Sequence, residues 1–294
     1  MLLGKMIIIG CSRGRHIAAK IAKNLKKPYS ELKAGRFPDG EIYLRLMKDV
    51  KGKDVVLVQS FHENLSDCIL EAIFAAETAR DLGARKVYLV APYFPYFRQD
   101  SRFNPGECIS IKVIGRLFSR YFDKIVVVDP HLHRQTKLSD LFTTKVEKLT
   151  SNPYIASYIK KNIKNALIVG PDWESYKWAR KVAEQINYPF LILEKKRLSG
   201  RKVKITINKK IGIKGRNIVF VDDIISTGHT ILEAAKKLKA LGAKKLYCIA
   251  VHGLFVENAL EKIKKAGIKI ITTNTIPTKV SGIDVSGLVA KTLK

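Results

Sequence analysis

The chain repeats itself, and that duplication limits its possible folds more than any other feature. His16–Tyr29 reads HIAAKIAKNLKKPY, and Lys177–Phe190, 161 positions later, reads KWARKVAEQINYPF. Both have helical spacing, Ala18 matches Ala179, and each segment closes on Pro-aromatic. A second pair follows: ILEA at Ile69–Ala72 and Ile231–Ala234, then LGA at Leu82–Ala84 and Leu241–Ala243, with Lys86 and Tyr88 matching Lys245 and Tyr247. Offsets that stay near one value mean one supersecondary unit used twice. The join falls near Thr144–Asn152, giving an N-terminal domain over 1–146 and a C-terminal domain over 147–294. At roughly 150 residues per domain, the length also suggests two.

Within each copy, short β-branched runs alternate with amphipathic helical patterns. The runs are Met6–Ile9, Val55–Val58, Val87–Val90 and Ile125–Val128, then Ala166–Val169, Asn217–Val221, Leu246–Val251 and Lys269–Thr273. Helices are predicted over Asp67–Leu82 and Thr230–Leu241, with Gly83 and Gly242 where a left-handed cap favours glycine. Near-continuous apolar strands alternating with helices imply an α/β fold: two tandem domains, each a parallel sheet flanked by helices. Such sheets bind ligands beyond the carboxyl ends of their strands.

Composition narrows the class. No apolar run approaches the ~18 residues of a membrane span, and the N-terminus lacks a signal-peptide pattern. Cys11, Cys68, Cys108 and Cys248 are too scattered for a metal motif, and they read as small core residues of a cytoplasmic protein. The charge is unusual: 54 basic and 26 acidic residues leave +28. A solvated lysine surface, a nucleic-acid partner or small anionic substrates would each account for it, and no nucleic-acid motif is present.

The most specific stretch is Asn217–Thr230, NIVFVDDIISTGHT. A buried strand ends in Asp222 and Asp223, a turn follows, and a helix begins. Gly228 would let backbone approach a ligand, while the free N–H groups and the dipole of the helix start favour an anion. Ser226, Thr227 and Thr230 add hydroxyl donors, His229 lies among them, and the two aspartates could hold sugar hydroxyls. A helix N-cap alone would also use Ser and Thr, but the duplicate stretch Gln59–Cys68, QSFHENLSDC, has neither glycine nor paired aspartates. The sugar-phosphate chemistry therefore belongs to the second copy.

This loop resembles the phosphoribosyl-binding loop shared by type I phosphoribosyltransferases and ribose-phosphate diphosphokinases. Two tandem copies look like the diphosphokinase, as do RFPDGE at Arg36–Glu41, RQDSRF at Arg98–Phe103, VDPH at Val128–His131, VGPD at Val169–Asp172, EKKR at Glu194–Arg197, VHGLF at Val251–Phe255 and NTIP at Asn274–Pro277. The resemblance implies transfer of the β,γ-diphosphate of Mg-ATP to the C1 hydroxyl of ribose 5-phosphate. It places Phe37, Asp39, Gly40, Glu41, Arg98 and Gln99 at ATP, with Arg102 beside them. Read alone, Pro-Asp-Gly is a turn signal, and Arg98 could simply pair with Asp100 or Glu107. His131 and Asp172 are the implied magnesium-linked positions. Lys195 and Arg197 open a run of ten basic residues to Arg216 without one acid; they are the implied catalytic pair on a flexible loop, with Arg197 also touching ribose 5-phosphate.

A homo-oligomer is implied as well. His229 stands where the family usually has Gly or Ala, and LHRQTKLSDLF after VDPH departs from the run with which bacterial and animal members build a regulatory site. Two other readings share these features: a type I phosphoribosyltransferase, and a catalytically silent regulatory homologue. Neither a membrane nor a specific nucleic acid is implied as a partner.

Overall fold

Two seven-stranded sheets carry the chain, and their strand orders are the same. The computed structural model describes residues 5–102, 104–132, 137–171, 175–199, 202–207 and 212–294, with 177, 194–199 and 202–207 described by backbone alone. The first sheet and its helices comprise β1 (Met6–Gly10), α1 (Arg15–Leu25), β2 (Tyr29–Arg36), β3 (Ile42–Leu46), β4 (Asp54–Val58), α2 (Leu65–Asp81), β5 (Lys86–Ala91), α3 (Ser110–Tyr121), β6 (Lys124–Val128) and β7 (Lys145–Leu149). The second comprise α4 (Asn152–Asn162), β8 (Ala166–Gly170), α5 (Tyr176–Ile186), β9 (Phe190–Ser199), β10 (Lys202–Ile207), β11 (Asn217–Ile225), α6 (His229–Ala240), β12 (Lys245–Gly253), α7 (Ala259–Lys265), β13 (Ile268–Thr273) and β14 (Ser281–Ile283); α8 (Ser286–Thr292) follows and returns to the first.

The orders are β3-β2-β1-β4-β5-β6-β7 and β10-β9-β8-β11-β12-β13-β14. Pairing is parallel throughout except in the edge hairpins β2–β3 and β9–β10. β4 and β8 are buried along their whole length, the pattern of strands covered on both faces. Each fully buried Val, Ile or Leu contributes roughly 1.5–3 kcal/mol, so these strands anchor the two cores. In the first core Phe94 meets Phe61, Phe97, Phe118 and Phe142 at centroid distances of 5.3–5.6 Å. α2 and α6 begin and end one or two residues before the predicted limits, and Gly83 and Gly242 follow them at φ 81° and 84°.

Contacts divide the chain into two compact units, Met1–Thr150 with Val285–Lys294, and Ser151–Asp284. Within the first, α8 packs on α1, and Asn24 Nδ2 donates to Ser286 Oγ at 3.1 Å. No described helix is long and apolar enough to cross a membrane.

Three local expectations are corrected. The strand carrying Asp222 and Asp223 does not end there: β11 runs to Ile225, still paired with β12 through Ile224↔His252 and Ile225↔Gly253. The segment read as a flexible loop from Lys195 is instead the β9–β10 hairpin. Its second arm alternates Lys202, Lys204 and Thr206 with Val203, Ile205 and Ile207, a strand period masked by the density of lysines. Of the four cysteines only Cys11, Cys68 and Cys248 are buried, whereas Cys108 is exposed.

Candidate active site

The loop between β11 and α6 is shaped around a glycine. Gly228 caps α6 at φ 73°, a left-handed backbone that L side chains rarely adopt. A Cβ there would also lie 2.7 Å from Ile263 Cδ1 of α7, which would have to shift, so a side chain is disfavoured first by the backbone and then by crowding. No side chain caps α6. The Ser226 and Thr227 hydroxyls have no hydrogen-bond partner among the described residues. Both are half-buried, while His229, the first residue of α6, is exposed. A helix start without a side-chain cap, beside two unspent hydroxyls, offers donors to an anion.

Behind the loop, Asp222 is half-buried and Asp223 is 3% exposed. The Asp223 N–H donates to Asp222 Oδ1 at 2.9 Å, which fixes the Asp222 carboxylate against its own strand. Burial pushes the thiol of Cys248 well above its ordinary value, with the Asp222 charge as the second cause. That thiol stays protonated, a core group and not a nucleophile.

The first copy shows the same place filled by protein. Gln59, Ser60 and Phe61 are fully buried, and Phe61 packs into the aromatic core. The amides after β1 already have side-chain acceptors. The Ser12 N–H donates to Glu71 Oε1 at 2.7 Å and the Arg13 N–H to Gln59 Oε1 at 2.9 Å. Glu71 is 6% exposed, whereas its repeat partner Glu233 is exposed and pairs with Lys236.

Arg36–Glu41 forms the tip of the β2–β3 hairpin. The Gly40 N–H donates to the Phe37 carbonyl and the Phe37 N–H to the Glu41 carbonyl, both at 2.9 Å, with Gly40 at φ 95°. Pro-Asp-Gly thus closes a type I turn with a glycine bulge. Phe37 is 49% exposed, and the edge of one ring meets the face of the other where it packs on Tyr43 at 5.6 Å. Such a ring, braced on one side and bare on the other, can take a flat partner. Asp39 Oδ1 accepts from the Glu41 N–H at 3.1 Å, and the Asp39 and Glu41 side chains are exposed. The sequence reading gave Arg36 and Tyr43 no role; yet Arg36 clamps the tip by donating to the Gly40 carbonyl and to Asp67 of α2. The strand alternation of Tyr43 with Leu44 was the signal that could have marked its partnership with Phe37.

Beyond β5, Arg98 is exposed and pairs with neither Asp100 nor Glu107. Gln99 Oε1 accepts from Ser110 Oγ at 2.8 Å, tying it to the start of α3. Arg102 Nε donates to the Glu107 carbonyl at 2.9 Å.

His131 lies half-buried just past the carboxyl end of β6, after Asp129, which holds a left-handed φ of 37° directly before Pro130. Strained backbone of this kind persists where the surroundings over-determine it. Asp172 lies outside the described residues, two positions after β8. Lys195 and Arg197 lie on β9, opposite Ile205 and Val203 of β10. Among the described residues no three His, Cys, Asp or Glu side chains converge on a metal position. Magnesium needs no such cage, since it keeps several waters and takes one or two protein ligands plus substrate phosphates. A half-buried imidazole reached through water, with Asp129 two residues before it at the end of β6, fits that habit.

The model for the N-terminal domain of ribose phosphate pyrophosphokinase matches residues 6–121, and the phosphoribosyl transferase domain model matches 139–288. The chain is 36% identical to the ribose-phosphate pyrophosphokinase of Pyrococcus furiosus, over 95% of this chain and 97% of the relative. It is 39% identical to that of Saccharolobus solfataricus, over 98% and 100%. Among solved structures, the phosphoribosylpyrophosphate synthetase of Mycobacterium smegmatis superposes with a TM-score of 0.84 at 25% identity, covering 98% of each chain.

Proposed function

Because this chain belongs to the ribose-phosphate pyrophosphokinase family, we propose that it transfers the β,γ-diphosphate of ATP to the C1 hydroxyl of ribose 5-phosphate, yielding phosphoribosyl pyrophosphate and AMP. The observation that carries this reading is the uncapped start of α6 behind Gly228, with the Ser226 and Thr227 hydroxyls unspent.

In this mechanism the 5-phosphate sits at Ser226, Thr227, Gly228, His229 and Thr230, where N–H groups and hydroxyls surround it. Asp222 accepts from the ribose hydroxyls; Asp223, nearly enclosed, holds Asp222 in place through its amide. Adenine stacks on the bare face of Phe37, while Asp39 and Glu41 accept from its amino group or ribose, and Gly40 lets the hairpin turn. Arg98 and Gln99 contact ATP near its phosphates. The O1–Pβ bond forms as the bond from Pβ to the α-phosphate oxygen breaks, AMP leaves, and the hydroxyl proton passes to solvent. Lys195 and Arg197 stabilise the negative charge on the transferring group, and Arg197 also touches the sugar phosphate. Magnesium, held at His131 and Asp172 through its water, would neutralise part of that charge. Positioning and electrostatics supply the acceleration, with no covalent enzyme intermediate. The reading includes a homo-oligomer in the cytoplasm.

Gly228→Ala tests the carrying observation. A Cβ against Ile263 and a disfavoured φ should shift the loop, and calorimetric titration should find ribose 5-phosphate bound about tenfold or more weakly. Unchanged affinity in a folded variant would remove this loop from the sugar-phosphate role.

A further inference from the structure

At the amino edge of the second sheet, the end of the strands opposite the β11–α6 loop, the two copies carry their charge differently. RDLGARKVY at Arg80–Tyr88 and KALGAKKLY at Lys239–Tyr247 align without a gap. Arg80 thus corresponds to Lys239, Arg85 to Lys244 and Lys86 to Lys245. Strand register extends the match. Lys86 pairs with Asp54 and Lys245 with Asn217, while Tyr88 pairs with Lys124 and Tyr247 with Lys269.

The first copy neutralises this edge. Arg80 Nη2 lies 3.1 Å from Asp123 Oδ2, Arg85 holds both oxygens of Asp54 at 2.5–2.8 Å, and Lys124 Nζ lies 2.6 Å from Glu147 Oε2. In the second copy the place of Asp54 is taken by Asn217 and that of Asp123 by Ile268. Glu77, 3.9 Å from Arg80, is replaced by Lys236. The cations stay and these carboxylates go. Lys239 Nζ donates to the Ala266 carbonyl at 2.6 Å. Lys244, Lys245 and Lys269 are exposed, and their ammonium groups have no acceptor among the described residues.

Lys239, Lys244, Lys245 and Lys269 border one recess of about 400 Å³, with the half-buried Tyr247 in its wall. Exposed ion pairs contribute little to stability, so the fold itself does not choose between the two arrangements. The difference lies in what the edge attracts. Like charges gathered round one hollow repel one another and raise the local potential for an anion. A lysine coat serving solubility alone would not need these carboxylates removed. The four lysines are spread over the end of α6, the turn after it and the starts of β12 and β13, with an aromatic ring among them. That combination suits a chain of phosphates carrying flat bases: the lysines follow the backbone and a base packs on the ring.

We propose that this edge of the second unit binds single-stranded nucleic acid without regard to sequence. The loop Ser226–Thr230 lies at the other end of the same strands and stays open while the strand is bound. Part of the +28 surplus thereby acquires a partner.

The test is fluorescence anisotropy of a labelled oligouridylate of about 12 nucleotides, titrated with the full chain at several salt concentrations. Binding should weaken steeply as salt rises. A K244A/K245A/K269A variant should bind about tenfold or more weakly, its slope of log K against log salt should be shallower by about 2, and its turnover should be unchanged. A K160A/K161A/K181A variant loses the same charge from exposed positions on α4 and α5 and should bind within about twofold of the parent. Tyr247→Leu should weaken binding about fivefold. No binding by the parent chain would overturn the proposal. So would equal weakening by the two triple variants, an unchanged salt slope, or an unchanged affinity in a folded Tyr247→Leu variant. Displacement by polyglutamate of equal charge would instead assign the edge to an acidic polypeptide, and displacement by ADP would place the strand in the nucleotide site; either would overturn it.

Discussion

At the scale of single residues, the loop before α6 turns on Gly228, and Gly228→Ala is the substitution that loosens it most directly. Gly228 was legible as a position that wants glycine, and it holds φ 73°, where an added Cβ would lie 2.7 Å from Ile263 Cδ1. Phe37 was legible because its neighbours are polar, and it is half-exposed. The difference between Asp222 and Asp223 was not legible, since adjacent strand residues point to opposite faces and only the fold says which face is covered. Glu71 was missed for the same reason: its ILEA context matches Glu233, yet one carboxylate is buried on a loop amide and the other faces solvent. The catalytic assignment on β9 makes a prediction at this scale. Lys195→Ala should lower kcat by about a hundredfold or more while leaving substrate KM within a few-fold, because its charge is needed when the diphosphate is in transit. Steady-state kinetics would show it, and an intact kcat would take Lys195 out of the mechanism.

At the scale of elements, hydrophobic runs located the central parallel strands, whose burial on both faces leaves a continuous apolar signature. The edge hairpins escaped, because an edge strand is half-solvated and its lysines and glycines read as loop. That matters for the site: RFPDGE sits at the tip of β2–β3, and EKKR lies on β9 of the equivalent hairpin in the second copy. One element, used twice, thus carries both RFPDGE and EKKR, the motifs to which the proposed function gives the nucleotide and the catalytic charge. In the first copy's loop, Phe61 is taken into the core instead. Phe94, 4% exposed and in contact with four other phenylalanine rings, should therefore be a keystone of that unit. Phe94→Ala should destabilise it by about 3–5 kcal/mol, read as a lower denaturant midpoint in chemical unfolding. A loss below about 1 kcal/mol would mean that the aromatic cluster repacks freely.

For the whole molecule, the duplication read from HIAAKIAKNLKKPY and KWARKVAEQINYPF is the same relation that gives two sheets of identical strand order. Sequence similarity between the copies survives mainly in helices and core strands, where packing constrains it. It is weakest in the loops after β4 and β11, where one copy has Ser226, Thr227 and Gly228 and the other buries Ser60 and Phe61. Net charge was the feature least legible from sequence, because a count of lysines does not say which are paired; the fold shows Lys53, Lys124, Lys236 and Lys264 spent on carboxylates. The reaction class itself is tested most directly by product analysis. Purified protein would be mixed with ATP, ribose 5-phosphate and magnesium, and the nucleotides resolved by chromatography. Diphosphoryl transfer predicts AMP and phosphoribosyl pyrophosphate in equal amounts, with neither formed when the sugar is omitted. ADP in place of AMP, or a folded protein that binds ATP without turnover, would contradict it.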